Sequence, residues 1–170
     1  MSLHVDGSAL VRTRPGVGDW TVWAVEHPAG VARLELRGDL TEVVVGDAPT
    51  GLDSRVGFTA VACTRDGHAL VLAQDAPPAL LVSGSGCRTL PREPGAPELL
   101  HLSPDDLVLA LSCSVLEARP HLLADALQDP AALLDQDPGR LLADLFREVP
   151  RGAGAVLRRR PHRPPPEETR

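Results

Sequence analysis

The chain has 170 residues, 43% of them hydrophobic and 24% charged, a balance that suits one globular domain and excludes a disordered chain. Its formal net charge is −6, and the last thirteen residues, "RRRPHRPPPEETR", hold five Arg against two Glu, so residues 1–157 carry −9. An acidic body of that kind excludes the clustered basic face that nucleic acid requires.

The start, "MSLHVDGSALVRTRPG", lacks the basic-then-apolar order of a secretory signal, and no apolar run approaches the length of a membrane span. Cys63, Cys87 and Cys113 cannot all pair, and their spacing matches no zinc motif. A cytoplasmic protein with reduced thiols is the expectation. All 17 basic residues are Arg, and Lys, Ile, Asn and Tyr are missing, the bias of a GC-rich coding genome. Scarce aromatics therefore carry little structural meaning.

In chain order, "WTVWAV" (20–25), "VARLEL" (31–36) and "LTEVVV" (40–45) are short β-rich runs punctuated by Gly or Asp-Gly. "GFTAVACT" (57–64) and "HALVLAQ" (68–74) flank Arg65-Asp66-Gly67, a hairpin signal. "ALLVS" (79–83) and "CRTL" (87–90) flank the turn "GSG", and "ELLHL" (98–102) follows a Pro-rich link. The turn "SPDD" leads into "LVLALS" (107–112), and "SVLEA" then begins a helix. So many strands at close spacing predict an antiparallel sandwich. Helices come late: Pro120 stands ahead of "HLLADAL", Asp129-Pro130 starts the short turn "AALL", and Asp137-Pro138 opens "GRLLADLFREV". In the last of these Leu141, Leu142, Leu145, Phe146 and Val149 fall on one helical face. "GAVLRRR" reads as a closing strand, giving an α+β order in one domain over 1–160 and a disordered tail over 161–170.

Candidate chemistry centres on "LALSCSVLEARP". Cys113 and Arg119 have the C-x5-R spacing of cysteine phosphatases, where a thiolate attacks phosphorus and the arginine clamps its oxygens. That chemistry needs a glycine-rich loop of inward amides, and "SVLEA" has no glycine. The six histidines, His4, His27, His68, His101, His121 and His162, are scattered without ligand spacing. "SGSG" lacks the lysine and helix of a phosphate loop, and no nucleophile elbow is present.

The order of several small motifs resembles the metal-dependent PPM-type serine/threonine phosphatases of the SpoIIE/RsbU-like branch. "GVGDW" (16–20) is similar to an early Gly-Asp-aromatic motif, and "VVVGDAPTG" (43–51) to a strand ending Gly-Asp-x-x-Gly. "LAQDAPPALLVSGSG" (72–86) keeps the Pro-Pro and strand of an Ala-Gly-His-Pro-Pro hairpin, with Gln74-Asp75-Ala76 at its first positions. "HLSPDDLVLALSCSVLEARP" (101–120) is similar to a Pro-Gly-Asp turn, a strand ending Thr-Asp-Gly and a Glu-Ala-Arg. "PRGAGAVLRRR" (150–160) stands where the family has Asp-Asp and a last strand.

The resemblance implies an antiparallel PPM-type β-sandwich and, in active relatives, two divalent metals held by carboxylates that activate a water. It puts Asp19 and Asp47 at retained metal positions, Cys113 at the position of the Thr-Asp-Gly aspartate, and Arg151-Gly152 at the Asp-Asp. A thiol is a poor ligand for Mg²⁺ or Mn²⁺, and an arginine repels a cation. Cys113 is then expected to be a small, semi-buried thiol at an old active site, with no cofactor bound. The family's long helix pair after the Gly-Asp motif is replaced by "PTGLDSRV", which leaves one sheet face uncovered for a protein partner or a second copy. The implied function is a catalytically inactive, regulatory phosphatase-like domain, in a sigma-factor or anti-sigma pathway by analogy. The alternative is an active metal phosphatase with a modified site, in which Asp75, Asp105 or Asp106 supplies missing carboxylates.

Overall fold

The computed structural model describes residues 11–48 and 57–160. The expected disordered tail and the link "PTGLDSRV" lie outside the described residues. Eleven strands appear in chain order among them: β1 (Arg12–Pro15), β2 (Trp20–Glu26), β3 (Gly30–Arg37), β4 (Leu40–Asp47), β5 (Phe58–Thr64), β6 (His68–Gln74), β7 (Ala79–Ser83), β8 (Gly86–Leu90), β9 (Glu98–His101), β10 (Leu107–Leu111) and, after the helices, β11 (Ala153–Arg159). The helices are α1 (Cys113–Ala118), α2 (Leu122–Gln128), α3 (Pro130–Asp135) and α4 (Pro138–Phe146).

All strand pairings are antiparallel. One sheet runs β1-β2-β11-β10-β7-β8, and the second runs β3-β4-β5-β6-β9. Between them lies a core built from Trp20, Val22, Val43, Val61, Val108 and Leu157. A second core joins the outer face of the first sheet to the helices through Trp23, Leu109, Val156, Leu142 and Phe146.

The two sheets carry different sequence patterns for a physical reason. Strands buried on both faces need continuous apolar runs, and strands with one open face alternate. In the first sheet β10 is buried at every residue, whereas β5 in the second alternates between buried and half-buried positions. The outward side of the second sheet carries Phe58, Val44, Leu72, Leu70 and Leu99, with Leu70 directly opposite Leu99 at 45% and 73% exposure. No helix of the described residues covers it. Among the described residues this face is open, with a groove of about 430 Å³ along its β3 side.

The turns follow the local chemistry. Gly67 takes φ +98 between β5 and β6, and Gly38, at φ +57, shares the two-residue β3–β4 turn with Asp39. Asp137 caps α4 by accepting from the Arg140 N–H at 3.0 Å, and Asp129 does the same for α3 through Ala132 at 3.2 Å. "AALL" is thus a short helix rather than a turn. β1 was not anticipated: "RTRP" is exposed throughout and forms because it pairs with β2.

Candidate functional site

The motifs that carry the family resemblance divide between the two ends of the sandwich. β4 ends at Asp47, β10 ends just before Ser112, and β11 begins just after Gly152. These three points meet at one end. The Ser114 N–H donates to Asp47 Oδ2 at 3.2 Å, and a side chain on Gly152 would touch Ser112 and Ser114.

Ser112 is the hinge of this arrangement. Its N–H donates to the Ala153 carbonyl, and its buried Oγ accepts from the Ala153 N–H, both at 2.9 Å. The Oγ is therefore not available to cap α1. Asp47 supplies that cap from β4 instead, a structural task for a carboxylate the resemblance assigns to metal. Its second oxygen, Oδ1, is buried and makes no hydrogen bond among the described residues.

Cys113 opens α1 and is exposed, not semi-buried as expected, because the first turn of a short helix at the sandwich rim has only one side to bury. Its Sγ lies 3.7 Å from Glu117 Oε1, one helical turn on. Desolvation first, then the negative charges of Glu117 and Asp47, push the thiol above its ordinary range. A thiol held protonated in this way is a poor nucleophile. Arg119 does not turn back toward it. Its Nη1 donates to the carbonyls of Asp144 and Leu145 at 3.3 and 3.2 Å, closing the end of α4. The C-x5-R spacing therefore builds no anion cradle.

Gly152 shows most about this end. Its φ is +115, and a Cβ there would lie 2.7 Å from Ser112 Oγ and 2.9 Å from Val115 Cγ2. The β2–β3 turn presses on the same backbone: Gly152 N–H donates to the Pro28 carbonyl at 3.2 Å, and its own carbonyl accepts from His27 at 2.9 Å. A Cβ on Gly30 would come 2.0 Å from that carbonyl. His27 is fixed there too, with Nδ1 2.6 Å from the Val149 carbonyl and its ring edge-on to Phe146.

The remaining site residues lie elsewhere. Asp19 precedes β2, and its carbonyl accepts from Arg160 at the far end of β11. β2 has seven residues, so at about 3.3 Å per residue it holds Asp19 roughly 20 Å from the Asp47 end. The structure does not bring Asp19 and Asp47 together. Asp105 and Asp106 lie at the Asp19 end, where Asp106 Oδ2 closes its own turn by accepting from Ser103 N–H at 2.9 Å. Asp75 follows β6 at the Asp47 end, two strands from β4, or about 10 Å at sheet spacing.

Sequence reasoning passed over Ser112, Ser114 and Glu117 as site residues. The i, i+4 spacing of Cys113 and Glu117 was the available signal. Among the described residues no three of His, Cys, Asp or Glu come together in a way that could hold a metal ion. The donors present, the carboxylates of Asp47 and Glu117 and the thiol of Cys113, do not make a binuclear site for a hard cation.

Two packed antiparallel sheets in this order give the fold of the PPM-type phosphatases in the SpoIIE/RsbU-like form, here with helices on one outer face only among the described residues. Among solved structures the chain is similar to the RsbU and RsbW domains of Rv1364c from Mycobacterium tuberculosis. The TM-score is 0.67 and the identity 15%, over 95% of this chain and 65% of that one. It is also similar to the phosphatase domain of the cell fate determinant SpoIIE from Bacillus subtilis, at TM-score 0.60 and 11% identity over 95% and 98% of the two chains. A structure of that PP2C domain with a fragment of its regulatory domain gives TM-score 0.63 and 9% identity over 88% and 70%. No protein-family model matches the sequence, and no curated protein matches it. No helix of the described residues is long and apolar enough to cross a membrane.

Proposed function

We propose that this chain is a catalytically inactive PPM-type domain that serves as a protein-interaction module in bacterial signalling. The observation that carries the reading is Gly152. The family position that should offer a carboxylate holds a glycine at positive φ, and Ser112 and Val115 already fill the space of a Cβ. Two further features support it: Asp47 caps α1, and Asp19 lies at the other end of β2. The partner docks on the uncovered face of the second sheet, whose outward Leu70 and Leu99 are among the few large apolar side chains exposed in the described residues. Solved structures similar to this chain include RsbU and RsbW domains, a cell fate determinant and a stressosome component. By analogy the partner belongs to a sigma-factor or anti-sigma system, in the cytoplasm.

The test is calorimetric titration with Mn²⁺ and Mg²⁺, followed by p-nitrophenyl phosphate turnover at saturating metal. No binding heat and no turnover are expected. Metal-dependent turnover lost in Asp47→Ala would overturn the reading. It would favour an active phosphatase with a modified site, which the unpartnered Oδ1 of Asp47 supports.

A further inference from the structure

The second sheet ends on β3, which pairs with β4 on one side and with no strand of the described residues on the other. Two hydrogen bonds fix the direction of its backbone. Ala29 accepts from Ala48 N–H beside β4 at 2.7 Å, whereas Ala32 N–H turns away from β4 and donates to Glu26 Oε1 at 2.8 Å. Main-chain groups alternate along a strand, so Ala32, Leu34 and Leu36 present theirs to the open edge while Arg33 and Glu35 face β4. An edge of this kind is a template for another strand.

The side chains of β3 are complementary to themselves. In "VARLELR" (31–37), reading outward from Leu34 gives Arg33 against Glu35, then Ala32 against Leu36. An antiparallel second copy in that register puts Leu34 opposite Leu34, with an Arg33–Glu35 pair on each side of the two-fold axis. Glu35 already receives Arg37 Nε at 2.9 Å in its own chain, so each pair extends into a small network. On the opposite side of the strand Ala32, Leu34 and Leu36 come together, which covers Leu36, now 53% exposed. A slip of one residue would set outward against inward side chains. A slip of two would centre the axis on Arg33 or Glu35 and oppose like charges. An axis on Leu36 would also pair Glu35 with Arg37, but it runs past the end of β3 into the Gly38-Asp39 turn, so the Leu34 register is the one that matches charge and burial along the strand itself.

We propose that the chain forms a two-fold dimer by antiparallel pairing of β3 with β3 of a second copy, centred on Leu34. The two five-stranded sheets then become one continuous sheet. Glu26 keeps the Ala32 N–H, so the new ladder consists of the reciprocal Leu34 bonds and the bonds from Leu36 N–H to the Ala32 carbonyl. The occupant is a second copy because charges that complement each other about an axis serve only an identical strand. The pairing leaves Leu70 and Leu99 open and does not depend on whether the Asp47 end is catalytic.

Sedimentation velocity and light scattering at micromolar concentration test it. The wild-type chain is expected to be a dimer. Arg33→Glu alone, or Glu35→Arg alone, sets like charges in both pairs and should weaken the dimer about tenfold or more. The double variant Arg33→Glu/Glu35→Arg recreates the complement and should restore it. Leu34→Pro removes an N–H that β4 does not use, so circular dichroism should stay native while the dimer is lost. A monomeric wild type overturns the proposal. So does a dimer indifferent to both single reversals and to Leu34→Pro, which would put the contact on another surface such as the open face.

Discussion

A carboxylate at position 152 faces two obstacles that act together. The backbone holds φ +115, a region that side-chain-bearing residues rarely adopt, and Ser112 Oγ stands 2.7 Å from the position of its Cβ. Ser112 cannot move aside without giving up the buried bond from Ala153 N–H. Gly152→Asp is therefore expected to lower stability by about 3 kcal/mol or more, read as a fall in the urea midpoint at unchanged slope. Cys113→Asp separates position from chemistry. That site is exposed and opens a helix, where an acidic residue is tolerated, so its midpoint should move far less. Equal losses for the two would show that crowding at Gly152 is not what keeps a carboxylate out.

At the scale of elements, local chemistry decided most of what forms. Asp129-Pro130 and Asp137-Pro138 each place a cap and an N-terminal proline; the second starts the helix the sequence predicts, and the first starts a short helix where a turn was expected. Asp137→Ala removes the acceptor for Arg140 N–H, and thermal or urea unfolding should show a loss of about 1 kcal/mol. A change below a few tenths would mean that packing of Leu142 and Phe146 alone holds the start of α4. The hairpin turns and strand alternation were likewise legible. β1 was not, because exposed "RTRP" carries no apolar period and its strand comes from pairing with β2. The site was legible only in part. Motif order brought Asp47, Cys113 and Gly152 to one end, but it gave no sign that β2 would carry Asp19 to the other. A short Gly-Asp-aromatic string fixes a turn and leaves open which end of a strand that turn occupies.

At the scale of the whole molecule, the described residues form three layers where a fourth could stand: helices, first sheet, second sheet, open face. Burial differs sharply across these layers, and stability should follow it. Leu142 in the helix layer and Leu157 between the sheets are both fully buried, and truncating either to alanine should cost about 2–5 kcal/mol. Leu70 and Leu99 oppose each other on the open side, where 45% and 73% of their surface already meets solvent. Leu70→Thr/Leu99→Thr should therefore change the unfolding free energy by about 0.5 kcal/mol or less. Threonine brings the β-branched shape that strands favour, so any large loss would have to come from vanished burial rather than from propensity. The same double change should abolish capture of a partner that docks on this face, and it should reduce fluorescence of a dye that binds exposed apolar surface. A destabilisation comparable to Leu157→Ala would mean that the face is covered within the free chain, and the docking surface would have to be sought elsewhere.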